Sequence, residues 1–164
     1  MIAMTRFKSF TLLAVLALLS ACSALSPYSE LTKLDLDLQA SDQLNPDLDG
    51  RPSPVVVRLL ELKHPVAFEN ADFFSLYERA RETLALDMVA SEELEIRPGE
   101  RRELRLSIDK DSRYVALLAA YRDLPETRWR YVIAVPPQER TRVTLHLERS
   151  GLFEPHDLLN REVR

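Results

Sequence analysis

An all-β, two-layer sandwich carrying one short inserted helical segment is the fold class this sequence predicts, and three observations predict it. About seven separate segments read as strands, the outer ones alternating apolar and polar residues with a period of two, as strands with one dry and one wet face do. The period changes to that of a helix only once, between roughly residues 65 and 86. Apolar residues make up 46% of the 164-residue chain, enough for a packed core and too many for a disordered one.

The chain opens with two cations, Arg6 and Lys8, followed by an apolar run from Phe10 to Leu19. That layout is a secretory signal, and the run is too short for a membrane-spanning helix of roughly 20 residues. It ends on Leu19-Ser20-Ala21-Cys22, which resembles the lipobox of bacterial lipoproteins, where the thiol is acylated and becomes the first mature residue. Cys22 is the single cysteine of the chain, so it cannot close an internal disulfide or build a metal site alone. A soluble exported protein is the alternative, with a cut after Ser23 placing Ala21 at the third position before it. The lipobox predicts a signal peptide over 1–21 and a lipid on Cys22. More than one acyl chain makes such an anchor stable. Ser23, where an aspartate would resemble an inner-membrane retention signal, directs the expectation to the outer membrane.

Residues 22–30 read as a flexible tether, and the sandwich occupies 31–164. Removing residues 1–21 removes both signal cations and no acid, so 26 acidic residues face 20 basic ones. That balance argues against nucleic acid and against sustained contact with anionic lipid surfaces. With 3 glycines in the chain, glycine-rich phosphate loops are excluded.

L-T-K-L-D-L-D-L-Q-A is the first strand, with Leu34, Leu36 and Leu38 opposed to Asp35, Asp37 and Gln39. The stretch from Ser41 to Pro54 is turn chemistry: three prolines withhold backbone donors and Gly50 can take positive φ. Long ordered loops of this kind are often functional. A second strand runs from about Val55 to Lys63. Phe73, Leu76, Tyr77 and Ala80 then mark a helix capped by Asp72, with a second helical turn near Thr83 to Leu86. Phe73 and Phe74 cannot share one stripe. Phe74 is expected to pack against a neighbouring loop, the alternative being an exposed anchor for a partner.

Further strands follow in E-E-L-E-I-R, R-E-L-R-L-S-I, R-Y-V-A-L-L-A-A-Y, R-Y-V-I-A-V and T-R-V-T-L-H-L-E. Those around Val115–Ala120 and Val132–Val135 are apolar on both faces and are expected to be central, and the pairing is expected to be antiparallel throughout. From Ser150 onward a short helix or a fraying end is expected.

No constellation of catalytic type appears, so no enzyme, catalytic residue, cofactor or small-molecule substrate is expected. A G-x-S-x-G elbow is missing. His64, His146 and His156 are too scattered to share a metal. N-P-D-L-D-G, from Asn45, begins like an EF-hand loop, but position twelve is Val56 inside a predicted strand. A proline-rich turn accounts for the same residues.

N-P-D-L-D-G-R-P-S-P-V-V-V-R-L-L-E-L-K, A-D-F-F-S-L-Y, R-Y-V-A-L-L-A-A-Y-R-D and T-R-W-R together resemble the TssJ outer-membrane lipoproteins of type VI secretion systems. At Leu60-Glu61, relatives often show an aromatic and a glutamine. The resemblance implies a transthyretin-like sandwich on the periplasmic face of the outer membrane. It implies binding to the periplasmic region of TssM, within a complex also containing TssL. It also implies that the loop between the first two strands makes the contact, here Ala40 to Pro54, with Asn45, Pro46, Asp47, Gly50, Arg51 and Pro52 on the motif. Prolines lower the ordering cost of docking, and Arg51 is the natural donor to a partner carboxylate. A lipoprotein chaperone or small-ligand binding module is the rival reading, and would need a concave apolar pocket.

Overall fold

The structure is a computed structural model that describes residues 31–162, with side chains through residue 160. The expected signal peptide over 1–21, Cys22 and the expected tether over 22–30 lie outside the described residues. Eight strands form two four-stranded sheets. The first holds β4 (Arg101–Ile108), β1 (Thr32–Ala40), β7 (Arg140–Glu148) and β8 (Gly151–Phe153), in that order. In the second the order is β3 (Met88–Ile96), β2 (Val55–Leu62), β5 (Tyr114–Ala119) and β6 (Arg130–Ala134). Between β2 and β3 stand helices α1 (Val66–Asn70) and α2 (Phe73–Thr83), and α3 (Pro155–Glu162) closes the described chain.

Alternation in β1 does what its period requires. Leu34, Leu36 and Leu38 are buried between the sheets against Val55, Val57 and Leu59 of β2 and Val115 and Leu117 of β5. The second sheet is covered twice. Its outer face carries Leu60, Leu62, Ala116 and Leu118, and α1, α2 and the turn after α2 bury Phe68, Phe73, Leu76 and Leu84 against them. Hence β5 reads as a continuous apolar run, dry on both sides, whereas in β2 the half-buried Arg58 and Glu61 interrupt the apolar residues. Asp72 caps α2 as expected, accepting from the Ser75 amide at 3.0 Å. Phe73 stacks on Tyr77 and meets Trp129 edge-on, both at 5.3 Å between ring centroids.

Five expectations are corrected. β6 is apolar on both faces, with Tyr131 and Ile133 toward the inter-sheet core and Val132 toward the helices, yet it stands at a sheet edge. Pairing is not antiparallel throughout, because β1 and β7 run parallel from Lys33↔Arg140 to Ala40↔Leu147. Phe74 does not pack against a loop; it is 61% exposed and touches Phe73 edge-on. The end of the chain forms β8 as well as a helix. Gly151 there has φ +119°, and a Cβ would lie 2.4 Å from the Arg128 carbonyl oxygen. Thr83 ends α2, and a turn with buried Leu84 replaces the second helical turn.

The run of β1 gives the domain two poles. Its nine residues span about 30 Å. The chain enters at Thr32, beside the turns that join β4 to β5 and β6 to β7. The 40–54 loop leaves from Ala40 at the opposite pole, where it meets the β3–β4 turn through Ala40 N to Glu100 O and Gly99 N to Ser41 O.

Candidate functional site

The 40–54 loop is a braced structure, and its two halves have different work. Its root is driven into the fold: Leu44 is fully buried, and its backbone binds Ser41 O at 3.1 Å and Ser53 N at 3.0 Å. Asn45, 4% exposed, adopts φ +44°, a conformation that asparagine tolerates better than most residues. Its Nδ2 donates to Pro54 O at 2.8 Å and its Oδ1 accepts from the Arg122 amide at 2.9 Å. One side chain thus ties both ends of the loop and the segment after β5.

The outer half is organised by Asp47. Oδ1 accepts from the amides of Asp49 and Arg51, and Oδ2 from Arg51 Nε, each at 2.9 Å. The backbone adds Asp47 N to Arg51 O and Gly50 N to Asp47 O, with Gly50 at φ +78°. The Arg51 amide, then the Arg51 side chain and the Asp49 amide, hold the Asp47 carboxyl below the ordinary aspartate range. Arg51 also reaches Asp49 through Nη2 at 2.9 Å. The guanidinium expected to seek a partner carboxylate is therefore largely engaged within its own loop. It serves as a brace.

Brought together, then, are Asn45 at the root, Asp47 and Arg51 as an ionic scaffold, and Gly50 and Pro52 exposed on the outer turn. Pro46 is half-buried between the two halves. The residue that sequence reasoning missed is Leu48, fully exposed at the apex between two aspartates. Its signal was present: a lone large apolar residue inside an otherwise polar turn. Arg122 and Arg149 were missed as well. With Pro46, Leu48 and Glu126 they line a cleft of about 570 Å³ beside the loop. Tyr121 also lines this cleft, and its buried hydroxyl has no hydrogen-bond partner among the described residues. Burial, and then the Glu148 charge, push its phenol up.

Elsewhere the titratable groups serve the surface. His64 lies 3.0 Å from Asp87, and His156 lies between Glu154 and Asp157. Among the described residues no group of three His, Cys, Asp or Glu side chains is placed to hold a metal ion.

Fold and site together define a class: an all-β sandwich, roofed by helices on one sheet, that presents one pre-shaped loop at a pole. Residues 32–150 match the family model described as "Type VI secretion lipoprotein, VasD, EvfM, TssJ, VC_A0113". The chain belongs to this family of type VI secretion lipoproteins. The matched span contains the loop and begins after Cys22.

Solved structures agree. The chain is similar to the type VI secretion lipoprotein TssJ1 of Pseudomonas aeruginosa, 36% identical over 75% of this chain and 94% of that one, with a TM-score of 0.73. Lip of Serratia marcescens, a membrane-bound component of the type VI secretion system, is 25% identical over 76% and 96%, with a TM-score of 0.71. A chain of a type VI membrane complex is 26% identical over 76% and 98%, with a TM-score of 0.67. No curated protein matches the sequence.

Proposed function

We propose that this protein anchors a type VI secretion membrane complex to the outer membrane from the periplasmic side, without catalysis. An acyl lipid on Cys22 supplies the grip, and the 40–54 loop docks on the periplasmic region of TssM, in an assembly that also contains TssL. The observation that carries this reading is the polarity of β1. The chain enters the sandwich at Thr32 and delivers the loop about 30 Å away, at the far pole. A domain tethered through its N-terminus would hold such a loop away from its own membrane, toward a partner rising from the other one.

The chemistry of the loop supports docking. An exposed Leu48 framed by carboxylates, on a scaffold already hydrogen-bonded, offers an apolar anchor with little ordering left to do. Kinship with a chain of a type VI membrane complex supports the setting.

Two measurements test the reading. Replacing 45–51 with a glycine–serine linker should abolish capture of the periplasmic region of TssM while the domain stays folded by circular dichroism. Unchanged affinity would sink the loop assignment. Cys22→Ser should release the protein from the membrane fraction; unchanged membrane association would remove the lipid grip.

A further inference from the structure

The outer face of the first sheet is its solvated face, and its charges are not evenly spread. Register places Lys33, Asp35, Asp37 and Gln39 of β1 between Ser107, Arg105, Glu103 and Arg101 of β4 and Arg140, Arg142, Thr144 and His146 of β7. In the half nearest Thr32, four cations (Lys33, Arg105, Arg140 and Arg142) surround the single carboxylate of Asp35. Asp35 is shared between Arg140 Nε at 2.8 Å and Arg142 Nε at 3.5 Å, and it can neutralise only one of them. In the half nearest the loop, Arg101 is outnumbered by Asp37 and Glu103, and it pairs with Asp37 at 2.9 Å. The face therefore grades from a positive excess at the entry pole, where the bordering turns add Lys110 and Arg113 against Asp109, Asp111 and Glu139, to a slight negative one at the loop pole. This runs against the acidic balance of the chain as a whole.

We propose that the entry-pole half of this face docks on anionic phospholipid headgroups of the leaflet that carries the anchor, and so sets the tilt of the domain. The proposal rests on the lipid anchor argued above. Two observations select the occupant. Charge complementarity requires an anionic surface, and the patch lies where the described chain begins, separated from Cys22 by the short tether over 22–30. Leu31, 55% exposed, immediately precedes it. The arginine side chains are 50% and 73% exposed at Arg140 and Arg142, so their guanidinium groups are open to a headgroup phosphate. Net charge alone disfavours an anionic lipid surface; the register of three strands overrides it locally. Tethering removes most of the entropic cost of association, so a small electrostatic gain suffices. Each cation held at an anionic surface contributes roughly fivefold, and the two left uncompensated once the bordering turns are counted shift the docked-to-undocked ratio about twenty-five-fold. The negative half of the face resists lying flat, leaving the loop pole raised.

The test uses the intact lipidated chain. Because Cys22 carries the lipid, Ser107→Cys on this face, or Ser91→Cys on the exposed edge strand β3, introduces one labelable thiol. Each labelled protein is reconstituted into phosphatidylcholine nanodiscs with or without phosphatidylglycerol, together with a headgroup-attached quencher. The label at 107 should be quenched severalfold more in the anionic discs, and the label at 91 should not differ. Molar salt, where the Debye length is about 3 Å, should erase the difference. Arg105→Glu/Arg142→Glu should erase it too, with co-flotation retained. The milder Arg142→Gln, which leaves the tight Arg140–Asp35 pair, should reduce it. Equal quenching in both discs overturns the proposal, as does a patch variant that keeps its quenching but loses capture of an acidic protein partner. Failure to float with either composition overturns the anchor and the proposal together. Flotation with anionic discs alone overturns the anchor and supports the patch.

Discussion

Asn45→Ala should detach the loop from its root. The substitution removes the bonds to Pro54 O at 2.8 Å and from the Arg122 amide at 2.9 Å, at a site only 4% exposed. Each net bond is worth about 1 kcal/mol, and more where the partner is left buried without water. Alanine must also hold φ +44°, which costs about 1–2 kcal/mol more. The sum is roughly 3–4 kcal/mol, a large share of the stability of an ordinary domain. Asn45→Gly removes the same bonds but not the conformational freedom, so it should cost roughly 2 kcal/mol. Urea denaturation followed by tryptophan fluorescence measures both. Trp129 is the single tryptophan, and it reports on the Phe73–Trp129 cluster away from the loop. Because Asn45 also ties down Arg122, capture of the periplasmic region of TssM should weaken in the same order, glycine before alanine. An alanine variant no less stable than the glycine one would refute the positive-φ argument. One within about 0.5 kcal/mol of the parent would refute the bracing role altogether.

Leu48→Asp should leave the urea midpoint unchanged and weaken partner capture at least tenfold, because it removes an exposed apolar anchor and touches no buried contact; equal capture by titration calorimetry would remove Leu48 from the interface. The Asp47 carboxyl has its folded pKa depressed, so its bracing is complete above the free aspartate value near 4 and is lost as pH falls through the lower folded one. The Arg51 amide resonance should therefore hold its position down to about pH 4 and move only below it, whereas a midpoint above 4 would reverse the sign of the argument. Gly151→Ala should destabilise the domain by about 3 kcal/mol or more, since its Cβ would meet the Arg128 backbone. Gly50→Ala, with open space around its Cβ but φ +78°, should cost only about 1 kcal/mol in thermal melts.

Much of the fold was legible because burial imposes periodicity. Leu34, Leu36 and Leu38 declare a strand with one dry face. The unbroken A-L-L-A run declares a strand dry on both, and β5 is found as such. The same reasoning misplaced β6, because apolarity records which faces are covered and says nothing about which edges are paired. It could not reveal that β1 and β7 run parallel, since a period of two is the same read in either direction. Phe74 went astray for a related reason: Phe73 takes the buried stripe beside Trp129, and among the described residues no neighbouring loop covers the second ring. Of the loop, the turn-forming residues were visible as chemistry, but their assignments were not. Arg51 looked like a donor for a partner until the fold turned it back on Asp47 and Asp49.

By itself, the sequence determined that the chain makes strands, roughly where seven of the eight lie, that a turn-rich loop separates the first two, and that the chain is acidic. These follow from local preferences and from solvent, which act on each segment alone. Only the tertiary structure decided that the loop and the N-terminal entry lie at opposite poles, that Asn45 is a buried tie and Leu48 a bare apex, and that four cations gather round one carboxylate on an acidic protein. Those depend on which strands become neighbours, in what register and direction. Such choices are set by packing between segments far apart in the chain, and no single segment carries them.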